Sequence, residues 1–95
     1  MRGDRRVDEV FSALSDPTRR AVIRSLSEDG PSTVTELAGR LPVTRQAVTK
    51  HLEALEEAGL IASDAQGRGA RFRLTPRPMT EAMRWMAEVG GEWDE

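Results

Sequence analysis

From Val7 to Ala58 the apolar residues return every third or fourth position, the spacing of helices that each bury one face. From Leu60 to Leu74 they alternate with polar residues as in a strand, and helical spacing resumes after Pro76. The clearest segment is Thr44 to Gly59. At about 100° per residue, Arg45, Gln46, Thr49, Lys50, Glu53, Glu56 and Glu57 share one arc, and Ala47, Val48, His51, Leu52, Ala54, Leu55 and Ala58 share the other. Thr44 can cap the start, because its hydroxyl accepts from an orphaned amide, and Gly59 suits the left-handed stop at the end.

The preceding segments follow the same logic. Val7, Val10, Phe11 and Leu14 make one stripe on a short first helix, Val7 to Ser15. It stops at Asp16-Pro17, where proline disfavours helix in the residue before it and Asp16 can cap a second helix that starts at Pro17. That helix runs to about Ser27. It buries Ala21, Val22, Ile23 and Leu26 and leaves Arg19, Arg20 and Arg24 on the solvated side, until Glu28-Asp29-Gly30-Pro31 ends it. Thr33-Val34-Thr35-Glu36 fits a capping box for a third helix to about Arg40, with Leu37 and Ala38 inward and Leu41 at the exit. The Thr44 helix begins about three residues later, as in a helix-turn-helix.

Downstream, Leu60 and Ile61 open one strand. Ala70, Phe72 and Leu74 face inward on a second, with Arg71 and Arg73 outward, and Gln66-Gly67-Arg68-Gly69 forms the tip between them. The last helix, from Pro76 or Pro78, gathers Met79, Ala82, Met83, Trp85, Met86, Val89, Gly90 and Trp93 in one broad arc. So large an apolar face on so small a chain points to a partner surface. The predicted fold is mainly α with a β-hairpin wing, a winged helix-turn-helix of four helices, two strands and a fifth helix. It forms one domain over residues 1–95.

The polar face of the Thr44 helix changes along its length, and this suggests chemistry. Arg45, Gln46, Thr49 and Lys50 lead and the glutamates follow. A helix entering the major groove reads bases with its N-terminal residues, where Arg forks onto guanine and Gln onto adenine. Thr44, Arg45, Gln46, Thr49 and Lys50, with Arg68 at the wing tip and Arg71 on its strand, are the candidate DNA-binding residues. Val10 and Phe11 of the first helix and Met79, Met83, Trp85, Met86 and Trp93 of the last are the candidate dimer interface.

Composition narrows the rest. A net charge of −2 argues against a general polyanion binder, but much of the acidity lies after residue 76, away from the arginine-bearing hairpin. Without cysteine, and with a single histidine, the usual soft-metal and thiol sites are missing. No paired catalytic carboxylates, phosphate-binding glycine loop or nucleophile-base pair is present, so neither an enzyme nor a cofactor is expected. With no long apolar run and no apolar core near MRGDRRVDEV, the chain is expected to be cytoplasmic and free of the membrane.

The stretches ALSDPTRRAVIRSL at 13–26, TELAGRL at 35–41 and TRQAVTKHLEALEEAGLI at 44–61 together resemble the ArsR/SmtB-type winged-helix repressors. The resemblance implies a homodimeric transcriptional repressor that binds a double-stranded DNA operator through its recognition helix and wing, with the first and last helices forming the dimer. Many members sense metals through Cys in the third helix or His and acidic ligands in the last. The corresponding stretches here have no Cys or His, which resembles the subgroup without metal ligands and leaves an unidentified inducer or protein partner open. The competing reading is a winged-helix module that binds protein rather than DNA.

Overall fold

The computed structural model describes residues 2–64 and 69–91. Five helices and a two-stranded antiparallel hairpin follow one another as α1 (Arg2–Ala13), α2 (Pro17–Asp29), α3 (Val34–Arg40), α4 (Arg45–Glu57), β1 (Ile61–Asp64), β2 (Arg71–Leu74) and α5 (Pro76–Gly91). This is the winged helix-turn-helix order. Among the described residues no helix is long and apolar enough to cross a membrane.

One core joins the elements. Val7, Val10 and Ala13 of α1 meet Val22 and Leu26 of α2, Leu37 of α3, Val48, Leu52 and Leu55 of α4, Leu60, Ile61 and Ala82 in a single buried cluster. Val10, expected at a subunit interface, is closed inside the protomer with no exposed surface. The reason is helical geometry: Val7, Val10 and Ala13 lie three residues apart on the face that the rest of the protomer covers, whereas Phe11 sits at its edge and stays exposed. α1 also starts at Arg2, five residues before the expected Val7. The added turn carries no apolar stripe to reveal it.

The junction of α1 and α2 corrects another expectation. Asp16 caps α2 as expected, its Oδ1 accepting the Thr18 amide at 2.7 Å and the Arg19 amide at 3.1 Å. Arg19 and Arg20, however, are not simply solvated. Arg20 Nη1 donates to the Leu14 carbonyl at 2.6 Å, and Arg19 Nη1 reaches the Ala13 carbonyl at 3.4 Å. These carbonyls sit at the end of α1, where peptide dipoles leave partial negative charge, so the two cations complete that helix terminus.

One arginine fastens α3 to α2 and to the segment between them. Arg40 Nη1 donates to Ser25 Oγ at 3.1 Å and Ser32 Oγ at 2.9 Å, and it lies 3.6 Å from Asp29 Oδ2. Ser25 and Ser32 are buried, so this contact satisfies hydroxyls that would otherwise be costly to remove from water. Ser32 also exchanges both backbone hydrogen bonds with Phe72, which adds an isolated bridge on the outer side of β2. Within the hairpin, Ile61 pairs with Leu74, Ala62 with Arg73, Ser63 with Phe72 and Asp64 with Arg71.

Candidate nucleic-acid interface

α4 is bounded by the two residues that suit its ends. Thr44 Oγ1 accepts the Ala47 amide at 3.1 Å. At the other end the Leu60 amide donates to the Leu55 carbonyl at 3.0 Å and the Gly59 amide to the Glu56 carbonyl at 2.9 Å, the paired closure of a Schellman turn. Gly59 has φ of 78°, and a Cβ there would lie 3.4 Å from Pro78. Glycine thus supplies the left-handed backbone, which is the reason for it here, since a Cβ would only reach ordinary van der Waals contact with the start of α5. Leu60 belongs to this turn, so the strand starts at Ile61 rather than Leu60.

Burial orients the helix. Val48, Leu52 and Leu55 are fully or almost fully buried, and Arg45, Gln46, Thr49, Lys50, Glu53, Glu56 and Glu57 are all exposed. A shallow depression along the leading turns is lined by Thr44, Gln46, Ala47, Thr49, Lys50 and Glu53. Thr49 Oγ1 donates to the Arg45 carbonyl at 3.0 Å, so its exposed hydroxyl is left to act as an acceptor. The five candidate residues of this segment, Thr44 through Lys50, therefore share one accessible surface with hydrogen-bond donors at its front. Glu53 borders the same depression, and Glu56 and Glu57 lie toward the rear, where Glu56 Oε2 accepts from Ser63 Oγ at 3.3 Å.

The wing presents a different balance from the one expected. Its two described arginines are both engaged: Arg71 Nη1 lies 3.1 Å from Glu36 Oε1 and Arg73 Nε lies 3.8 Å from Asp64 Oδ1. Arg71 Nη1 also donates to the Pro31 carbonyl at 3.3 Å. Arg68 lies outside the described residues, as does Trp93 of the candidate dimer interface. Sequence spacing gave no sign of the Arg71–Glu36 contact, because its partners stand 35 positions apart.

A helix-turn-helix domain family matches residues 14–64, which span α2, α3, α4 and β1. An uncharacterised HTH-type transcriptional regulator of Bacillus subtilis, YuzN, is 43% identical over 87 residues, covering 85% of this chain and 95% of its own. The transcriptional repressor SdpR of the same organism is 28% identical and covers 84% of this chain and 88% of its own. Among solved structures, an ArsR-like transcriptional regulator from Rhodococcus sp. RHA1 superposes with a TM-score of 0.86 at 37% identity, covering 99% of this chain and 88% of that one. The chain belongs to the ArsR/SmtB-type family of transcriptional regulators. The family consists of DNA-binding regulators and is not enzymatic.

Among the described residues of this regulator no three His, Asp or Glu side chains gather as a metal-binding group, and its sequence supplies no Cys. Two of its carboxylates, those of Asp16 and Glu36, are used at helix caps. Asp16 is held below its ordinary value of 3.8, first by the Arg19 amide and then by that of Thr18. Glu36 is held below 4.5, first by the Thr33 amide and then by the positive charges of Arg71 and Arg40. A carboxyl with a lowered folded-state pKa stabilises the fold above its unfolded value, and the contribution disappears as pH falls through the folded one. Stability should therefore be flat near neutral pH and decline below about pH 4.5. Thermal melts across that range should show the decline, and the double variant Asp16→Asn/Glu36→Gln should have a shallower one. An equally steep decline in the variant would place the acid sensitivity elsewhere.

Proposed function

We propose that this regulator is a homodimeric repressor, acting in the cytoplasm as one domain, that reads an operator with the leading turns of α4 while the wing lies on the neighbouring backbone. The carrying observation is the segregation on α4. Arg45, Gln46, Thr49 and Lys50 stand exposed together at its start, and Val48, Leu52 and Leu55 anchor the opposite face in the core. Such a surface fits the major groove: Arg45 can fork onto guanine and Gln46 onto adenine, with Thr44, Thr49 and Lys50 supplying base or phosphate contacts. Arg68 and Arg71 are the wing's candidates for phosphate.

Two such helices related by a two-fold axis address half-sites about 34 Å apart, so the operator should be an imperfect palindrome. Support for the dimer comes from the apolar residues that α5 and Phe11 leave exposed. The repressor reading draws on the name of SdpR, which is similar over most of the chain.

Arg45→Ala and Gln46→Ala should each weaken operator binding by about 1–3 kcal/mol and relax preference at one base position. The measurement is a titration of a palindromic duplex selected from a random pool, repeated with single-base variants. Unchanged affinity in both folded variants would move readout away from α4 and favour a protein-binding module, a reading consistent with the net negative charge and the paired wing arginines.

A further inference from the structure

Glu36 serves two partners with one oxygen. Its Oε1 accepts the Thr33 amide at 2.9 Å, while Thr33 Oγ1 accepts the Glu36 amide at 3.1 Å, which closes the capping box of α3. The same Oε1 receives Arg71 Nη1 at 3.1 Å. Next to this contact, the Ser32 amide donates to the Phe72 carbonyl at 3.0 Å and the Phe72 amide to the Ser32 carbonyl at 2.8 Å. The entry to α3 and strand β2 are thus joined by a backbone bridge at one residue pair and by a charged side-chain pair beside it.

An ordinary surface ion pair contributes little, because two long side chains must be immobilised to form it. Here one of them is already immobilised by the cap. All of the contacts of Arg71 among the described residues use Nη1, and Nη2 and Nε make none there. We propose that Glu36 is a positioning residue for DNA binding: it fixes the Arg71 guanidinium so that its remaining donors are preorganised for a backbone phosphate, and it sets the wing against α3. The proposal rests on the DNA-reading function given above.

Simple electrostatics makes the opposite prediction. A carboxylate beside a phosphate contact repels the duplex, so neutralising it should tighten binding. Glu36→Gln separates the two, because a glutamine oxygen can still accept the Thr33 amide and keep the cap, while its bond to Arg71 loses the charge that makes it strong enough to hold the guanidinium. Glu36→Asp is the second variant: it retains the charge but shortens the reach to Arg71.

The full chain should be titrated with a duplex selected from a random pool by the wild type, at several salt concentrations, alongside thermal melts. Glu36→Gln and Glu36→Asp should each weaken binding about fivefold, the scale expected for losing one preorganised side chain. Arg71→Gln should weaken it at least as much and lower the salt slope by about 1. Adding Glu36→Gln to Arg71→Gln should have no further effect on affinity. Equal or tighter binding by Glu36→Gln, or additive losses in the double variant, would overturn the positioning role. A wild type that selects no duplex would instead remove the DNA reading itself, and the positioning role with it.

Discussion

Leu52→Ala should destabilise the protein by about 2–5 kcal/mol, the range for truncating a buried leucine where the surroundings cannot close the cavity. Leu52 is 1% exposed and lies on α4 between the fully buried Val48 and Leu55, so it has no route to solvent and little room to collapse. For a domain of this size each kcal/mol lowers the melting midpoint by about 4–8 °C, which puts the expected loss at roughly 10 °C or more. Leu52→Met, which nearly conserves volume, should cost less than about 1.5 kcal/mol. The same leucine seats the helix whose far side carries Arg45, Gln46, Thr49 and Lys50. DNA affinity measured well below the variant's midpoint should therefore also fall, although residue 52 does not reach the surface. A midpoint within a degree or two of wild type would mean that this face of α4 is loosely packed.

The ends of α4 were legible in the sequence because Thr44 and Gly59 act on amides and carbonyls within a few residues of themselves. The Thr33–Glu36 box and the Asp16 cap were legible for the same reason. The faces of the helices followed from their period. The Arg40 contacts with Ser25 and Ser32, the Ser32–Phe72 bridge and the Arg71–Glu36 pair were not visible. Each joins residues well apart in the chain, and nothing in a serine or arginine at one position specifies a partner on another element. These contacts also changed the reading of the wing: residues that looked like a free basic strand are partly neutralised.

The first and last helices show a second limit. A stripe such as Val7, Val10, Phe11 and Leu14 tells that a face is buried, but not where the protomer's own cover ends. Val10 proved to lie under that cover, whereas Phe11 lies at its margin against Trp85, with ring centroids 5.7 Å apart and planes at 69°. This edge-to-face contact orders two large side chains at the boundary between the protomer and its exposed apolar surface. Met79, also assigned to the interface from sequence, is half-buried against the core at the start of α5.

Met83→Glu should convert a dimer into monomers without unfolding the protomer. Met83 is 59% exposed, Trp85 42% and Met86 45%, and every residue from Met83 to Gly91 is exposed apart from the half-buried Gly90. Ala82, just before them, is buried, so α5 leaves the protomer body while its apolar surface continues. A contiguous apolar surface of this kind is stabilised when a second copy covers it. In a two-fold dimer each substitution occurs twice, and a buried charge without a partner costs about 3–5 kcal/mol, which corresponds to a dissociation constant raised at least about 100-fold. Sedimentation should show a dimeric wild type and a monomeric Met83→Glu with the same thermal midpoint at low concentration, since the protomer already exposes most of that side chain. Affinity for the palindromic duplex should fall with dimerisation, while a single half-site should bind both forms alike. If the wild type sediments as a monomer at tens of micromolar, or Met83→Glu remains a dimer, the second copy does not cover this face of α5.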